Sequence, residues 1–409
     1  MSPLPTGMSS THLRRTLRKI TEMLAGELNC ASSTAPNWSD HEWLLAPAVA
    51  AMHGISPLLS RKLRWQGPAA WVAFLDAQRI HTERRHLRIL TLLQTLDEGL
   101  RAQGISAVAL KGVALHEIGL YRPGERPMAD VDLLVHPCDS ERTVLLLGSL
   151  GFYESCVSWK ERTFTPVASR IAADLGEHAK NDLKIELHDR ICERLPFRVA
   201  DVSDSIMPRT AQPGLNAYPS TASLMMHLLL HASGCMASQS LRLLHLHDLA
   251  LLSARMTAAD WDELLGSRAP GQSLRWAWPP LEMTARYYSL KIPANVLMTL
   301  RRACPGLLRR VSQRRQVSDV SYSYPWIAAF PGVEWSQSIC EIAAFISSRV
   351  RPSDQHLAWR KTALLTQSWA AGAEWSSLSQ VRRIVRWIAS RPMRPATLHA
   401  VRAALARTQ

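Results

Sequence analysis

Asp130 and Asp132 stand two residues apart in the run Asp130-Val131-Asp132-Leu133-Leu134-Val135, which is otherwise aliphatic. A β-strand alternates its side chains with period two, so this spacing puts both carboxylates on one face. Two carboxylates a pleat apart repel unless a cation lies between them. A divalent metal meets that need, and Mg2+ takes a few carboxylates together with substrate phosphates. Leu183-Lys184-Ile185-Glu186-Leu187-His188 offers a third acid. It alternates as a half-buried strand, with Ile185 and Leu187 on one face and Lys184, Glu186 and His188 on the other. Two acids on one strand and a third on its neighbour form a donor set for two metal ions ~3.5–4 Å apart, the arrangement that assists phosphoryl and nucleotidyl transfer. The plainer reading is a pair of edge-strand charges, which leaves Arg126, the loop before the aspartates and Glu186 unconnected.

These acids need a scaffold. Val108–Leu110 is apolar and β-prone and ends at Lys111-Gly112; Val113–Tyr121 has the pattern of a short helix. Arg122–Met128 carries Pro123, Gly124 and Pro127 and reads as a loop, and Pro137 stops the strand that begins at Asp130. Asp139–Leu150 is predicted helical, with Asp139 or Ser140 as N-cap and Gly151 as the stop. Phe152–Cys156 and Arg162–Val167 make a strand pair, and Glu177–Lys180 a turn. Removing the charge of Asp130 or Asp132 is expected to weaken metal-dependent nucleotide binding and to relieve repulsion.

Leu110-Lys111-Gly112, Arg126-Pro127-Met128-Ala129-Asp130-Val131-Asp132-Leu133-Leu134-Val135 and Ile185-Glu186-Leu187-His188 together resemble the uncharacterised bacterial nucleotidyltransferase family of the polymerase-β-like superfamily. The likeness runs from Met52-His53-Gly54-Ile55-Ser56-Pro57-Leu58-Leu59 to about Leu252, roughly half of the chain. In that superfamily a small-residue turn holds the nucleotide phosphates, a D-x-D pair binds metal and a later acid completes the site. The resemblance implies Mg2+ (or Mn2+) held by Asp130, Asp132 and Glu186, and an NTP as donor of the transferred nucleotide. Glu186 would help deprotonate the acceptor. Lys111 and Arg126 would offset phosphate charge, and Gly112 would let backbone N–H groups approach it at a helix N-terminus. The helical region with Arg242 and Asp248 would close over the nucleotide; a salt bridge between helices is the alternative for those two. The superfamily's usual Gly-Ser or Gly-Gly turn is Lys111-Gly112 here, which supports a second possibility, a nucleotide-binding module without turnover. A third is a toxin-like nucleotidyltransferase acting on tRNA.

The chain has 409 residues, 47% hydrophobic, enough for a substantial core, and a net charge of +14 that points to an anionic partner. Its seven cysteines are scattered without C-x-x-C, which fits a reducing cytoplasm better than a disulfide framework. No apolar run reaches the length of a bilayer span, and Met1–Arg18 lacks the apolar stretch of a signal peptide. The fold class expected is α+β: a small mixed sheet at 105–212 between an N-terminal helical region, 1–104, and a C-terminal one, 213–409. Met1–Ser9 reads as frayed. Thr11–Leu28, Asp40–Met52, Pro57–Leu63 and Trp71–Gln103 carry helical patterns, and the Arg84, Arg85 and Arg88 cluster reads as a solvated face. Pro213–Pro219 reads as a linker, Thr221–Leu252 as helix broken near Gly234, with Ala258–Leu265, Leu274–Leu290 and Ala294–Cys304 following. His227 and His231 share a helix face, but no H-E-x-x-H accompanies them, and they are expected to be structural, as are His245 and His247. Arginines at 301–315 and 382–407, the former beside Tyr322, Tyr324 and Trp326, offer charge and stacking for nucleic acid. Nucleic acid is not the favoured acceptor over a small molecule, peptide or protein, because those arginines are spread through helices whose other faces must pack.

Overall fold

The computed structural model describes residues 8–168, 175–196, 198–266, 274–289, 292–328, 330–354, 357 and 378–407. Met1–Gly7 of the expected frayed start, and Leu290 at the end of an expected helical segment, lie outside these. Four helices come first: α1 (Ser10–Asn29), α2 (Asp40–Met52), α3 (Ser56–Lys62) and α4 (Ala69–Ala102). Helix α1 starts where the Ser9 side chain accepts the His12 N–H, and it buries Leu13, Leu17, Ile20, Leu24 and Leu28 at helical spacing. Helix α2 opens with a capping box between Ser39 and Glu42.

The sheet follows. Its strands are β1 (Ser106–Ala109), β2 (Asp130–Val135), β3 (Phe152–Val157), β4 (Arg162–Pro166), β5 (Lys184–His188) and β8 (Gly214–Asn216), in the spatial order β3-β4-β5-β2-β1-β8. Strands β6 (Cys192–Leu195) and β7 (Arg198–Asp201) make a separate hairpin. The sheet is mixed: β2 runs parallel to β5 and antiparallel to β1, and β8 joins β1 in parallel. Short helices α5 (Gly112–Glu117), α6 (Ser140–Ser149) and α7 (Ser203–Ile206) connect strands. Then come α8 (Thr221–Ala237), α9 (Leu243–Ser253), α10 (Ala258–Gly266), α11 (Trp278–Tyr288), α12 (Ala294–Ala303), α13 (Gly306–Arg314), α14 (Ile339–Val350), α15 (Gln380–Ser390) and α16 (Pro395–Ala406). This is the expected α+β architecture. No strand follows Asn216 among the described residues, only isolated bridges at Leu241–Ser321 and Trp326–Met393. No single helix there is long and apolar enough to cross a membrane.

The period-two alternation of β2 and β5 sorts the core. Val131, Leu133, Val135, Ile185 and Leu187 pack with Ala107 and Ala109 of β1 and with Ile89, Leu96 and Leu100 of α4. Val108 and Leu134, on the opposite face, join a larger core that takes in α1–α3, α8, α9 and α16. Asp130, Asp132, Glu186 and His188 share this second face, so the acids look toward α8 and α9.

Three expectations change, and one element, the hairpin β6–β7, answers to none. Pro213–Pro219 is not merely a linker: Leu215 takes a strand place because β1 offers its free edge and Asp97 accepts the Leu215 N–H at 2.8 Å. The helical break falls at Ser238–Arg242 rather than at Gly234, which stays inside α8 and serves instead to admit Glu193, since a Cβ there would lie 2.8 Å from that carboxylate. The hairpin β6–β7 gave no clean alternation. Arg85 is not part of a solvated face. It is 3% exposed and binds the carbonyls of Met128 (3.0 Å), Ala129 (3.1 Å) and Asn181 (2.7 Å), with Glu177 at 3.1 Å. One guanidinium thereby ties together the segments that lead into β2 and β5.

Candidate active site

The parallel pairing of β2 with β5 places Asp132 directly beside Glu186 and Asp130 beside Lys184. Asp130, one pleat before Asp132, stays on the same face. All three carboxylates line one cavity of about 300 Å3, as do Lys111, Gly112, Arg126, Arg242 and Asp248. That size is at the lower end for small-molecule pockets. The eight residues singled out in the sequence are thus gathered in one place. The other wall is formed by α8 and α9 with His231, Cys235 and His245, and Tyr322 closes one side.

Lys111 occupies the first central position of a tight turn in which the Val113 N–H meets the Leu110 carbonyl at 3.2 Å. Its φ of 47° and ψ of −112° belong to a region glycine fills easily, and holding a lysine there costs about 1–3 kcal/mol. Two contacts hold it. The Lys111 N–H donates to the Tyr218 hydroxyl at 3.3 Å, which donates in turn to His227 Nδ1 at 2.7 Å. The Lys111 Nζ donates to Asp132 Oδ1 at 2.6 Å. Gly112 follows because Arg126 and Met128 press on it: a Cβ would lie 2.3 Å from Arg126 Nη1 and 2.8 Å from Met128 Cγ. Arg126 itself makes a two-pronged pair with Asp248, at 2.9 Å from Nε and 2.8 Å from Nη2, and Tyr121 donates to the same carboxylate at 2.6 Å. Both groups, expected on the nucleotide, are therefore anchored to each other and tie the loop before β2 to α9. Arg242 has no carboxylate within ion-pair distance among the described residues and lies over the Tyr322 ring, 6.0 Å from its centroid.

The electrostatics are unequal across the three acids. Burial works to raise the Asp132 carboxyl, but Lys111 and His188 beside it hold it well below the usual carboxylate range. Burial and Asp132 push Asp130 up, and burial with Asp130 and Asp132 pushes Glu186 well above its ordinary value. Two of the three acids thus resist ionising while Lys111 is committed to the third.

A divalent cation fits part of this set, with His188 rather than Asp130 as the third donor within reach. Asp132, Glu186 and His188 each bring a donor atom within 4.8 Å of the others. Both ring nitrogens of His188 face oxygens, Nδ1 the Lys160 carbonyl at 3.2 Å and Nε2 the Asp132 carboxylate at 3.1 Å. With one ring proton donated to Lys160, a lone pair is left opposite Asp132, and a cation between them would be coordinated by both. His188 had a signal in the sequence, since it shares the face of Glu186. Lys160 and Glu161, which line the cavity from the β3–β4 turn, had none, because turn residues follow no period. Cys235 and Tyr322 reach the site from segments distant in the chain.

A family model for uncharacterised nucleotidyltransferases matches residues 39–288, a longer stretch than the motifs alone span. No curated protein and no solved structure matches the chain. The matched residues contain both strands of the acidic wall, the Lys111-Gly112 turn and both helices of the facing wall, and on that match the chain belongs to the uncharacterised nucleotidyltransferase family.

Proposed function

We propose that the protein moves a nucleoside monophosphate from an NTP to an acceptor, with Asp130, Asp132 and Glu186 holding Mg2+ or Mn2+. The observation that carries this reading is the β2–β5 register: it sets Asp132 against Glu186, with Asp130 on the same face of one cavity. The same arrangement supports placement in the polymerase-β-like superfamily. When bound, the cation would neutralise phosphate charge and lower the pKa of a coordinated oxygen nucleophile. The chain's own groups do the rest. Arg242, with no carboxylate within ion-pair distance among the described residues, would take the triphosphate. The turn at Lys111-Gly112 would bring backbone N–H groups to it at the start of α5. Arg126 acts by position, since its charge is spent on Asp248. Glu186 would also help accept the acceptor's hydroxyl proton.

One contact favours a second reading, nucleotide binding without turnover. The Lys111 ammonium already sits on Asp132, where it stands in for part of a cation's charge. One experiment separates the two. The protein is incubated with each α-phosphate-labelled NTP and Mg2+ or Mn2+, in the presence of protein, tRNA and small-molecule fractions. Label is then sought in any product other than NMP. The enzyme reading expects transfer from at least one NTP and its loss in Asp130→Asn. NTP binding with no labelled product in any fraction supports the binding module, and label confined to tRNA supports the toxin-like alternative.

A further inference from the structure

The helical wall carries a second donor set that the acidic wall does not use. His231 and Cys235 lie one turn apart on α8, and His245 stands in the first turn of α9. Each offers one ligand atom, all within 4.8 Å of one another. Cys235 Sγ is 3.6 Å from His231 Nε2, and the two imidazoles meet edge to face with centroids 4.9 Å apart. Behind His231, Glu193 Oε1 lies 3.8 Å from Nδ1, brought in by the side-chain-free Gly234. A carboxylate behind the outer nitrogen of an imidazole fixes the ring and its tautomer, which is the usual support of a metal-ligating histidine. His245 is oriented from the other side, where its Nδ1 accepts the Arg242 N–H at 3.3 Å. All three residues line the cavity.

We propose that His231, Cys235 and His245 bind a Zn2+-class ion whose remaining coordination position opens on the nucleotide cavity. One sulfur and two imidazoles form a soft set that prefers such an ion to Mg2+. Three protein ligands with one open position is the pattern of a reactive zinc site rather than a purely structural one. A tetrahedral ion with bonds of ~2.0–2.3 Å draws its ligand atoms to roughly 3.3–3.6 Å apart, so the side chains close by about 1.5 Å at most. Binding through Nε2 of His245 takes the Nδ1–H tautomer and gives up its long bond to Arg242. Burial already keeps both histidines neutral and holds Cys235 as a thiol, raised to about 11, so the ion itself must displace the thiol proton to solvent to gain a thiolate ligand.

The test titrates the full-length, metal-stripped protein with Co2+. One equivalent should produce an intense near-ultraviolet thiolate-to-cobalt band with visible tetrahedral bands, displaced by Zn2+ and indifferent to millimolar Mg2+. Cys235→Ser should erase the near-ultraviolet band. His231→Gln and His245→Gln should each weaken Zn2+ binding about 100-fold or more, and Glu193→Gln by about 10–100-fold. Asp132→Asn should leave the band intact, so failure of the acidic site and failure of this one are told apart. Circular dichroism checks that each variant is folded, and competition of wild type with a chromophoric chelator gives the affinity without any variant. No thiolate band in wild type, or a band that survives Cys235→Ser, overturns the assignment.

Discussion

On the sheet wall, Asp132 and Glu186 are neighbours because a parallel ladder makes them so. On the helical wall, His231, Cys235, Arg242 and His245 come from two helices and the five-residue turn between them, and side-chain bonds set their places. The sheet wall concentrates one sign of charge and relieves it with a single lysine. The helical wall keeps its histidines neutral by burial and holds Arg242 over the Tyr322 ring, with no carboxylate in ion-pair reach among the described residues. A ladder tolerates repulsion because its backbone bonds are indifferent to side-chain charge, so it can hold carboxylates ready for a cation. A helix pair lacks that insurance, and its buried carboxylate, Asp248, is pinned by a partner. Arg126 with Asp248 is the pin that joins the two walls.

Breaking that pin should have the largest effect on stability. Asp248→Asn leaves the Arg126 charge buried and uncompensated, an error worth about 3–5 kcal/mol. Urea unfolding should show that loss with an unchanged slope. A loss under about 1 kcal/mol would mean that the loop before β2 is held by Arg85 alone. The aspartates should then divide. Asp132→Asn strips the Lys111 ammonium of its closest partner and should cost about 1–3 kcal/mol. Asp130→Asn removes a carboxylate that burial and Asp132 already push up, and should leave the metal-free melting temperature equal or higher. The sequence alone predicts relief of repulsion for both. Lys111 on Asp132 limits it to one. Equal melting temperatures for the two variants would show that Lys111 is not committed to Asp132 in solution.

The contrast between walls also explains what could be read from the chain. Period two carries Asp130, Asp132, Glu186 and even His188 to one face, and the strand assignment needs only six residues of context. The helical wall depends on where α8 stops and α9 starts, which is set at Ser238–Arg242, where the Ser240 N–H meets the Cys235 carbonyl at 2.7 Å. Helical periodicity gives no hint that Cys235 and His245 will meet across that turn. Arg85 is missed for a related reason: on a long helix with mixed faces, its burial comes from loops about 45 and 95 residues further along, at Met128 and Asn181. Gly112 is legible as a glycine but not its cause, the approach of Arg126.

Arg242→Met tests the helical wall's cation with a smaller effect. Loss of one charge-assisted contact to the triphosphate should weaken NTP binding about tenfold, ~1.4 kcal/mol. Stability should fall less than binding does, because among the described residues Arg242 has no carboxylate within ion-pair distance and acts on Asp130 and Glu177 only at longer range. Calorimetric titration with the non-preferred and preferred NTP should show the same loss for both, since the triphosphate is common to them. A loss of stability equal to the loss of binding would make Arg242 a packing residue instead.

The smallest effect is in pH, and it falls on the helical wall. His53 Nδ1 accepts the Leu243 N–H at 3.0 Å at the start of α9, and its Nε2 lies 3.1 Å from the Ser323 hydroxyl. An acceptor Nδ1 fixes the ring as the Nε2–H tautomer, and a second proton would have to displace the Leu243 bond. Burial, with Arg242 nearby, accordingly lowers the ring to about 3 from an ordinary value of 6.5. The folded protein therefore refuses a proton that the unfolded chain accepts below 6.5. The contribution of neutral His53 is complete above that value and is lost as pH falls from 6.5 toward 3. At pH 6.0 the loss relative to pH 7.5 is about 0.8 kcal/mol for this residue. His53→Asn keeps an acceptor for Leu243 without the titration, so its stability should fall less over the same interval by that amount. Parallel curves for wild type and variant would place the protonation elsewhere, and would remove the argument that α9 is anchored through a ring that must stay neutral.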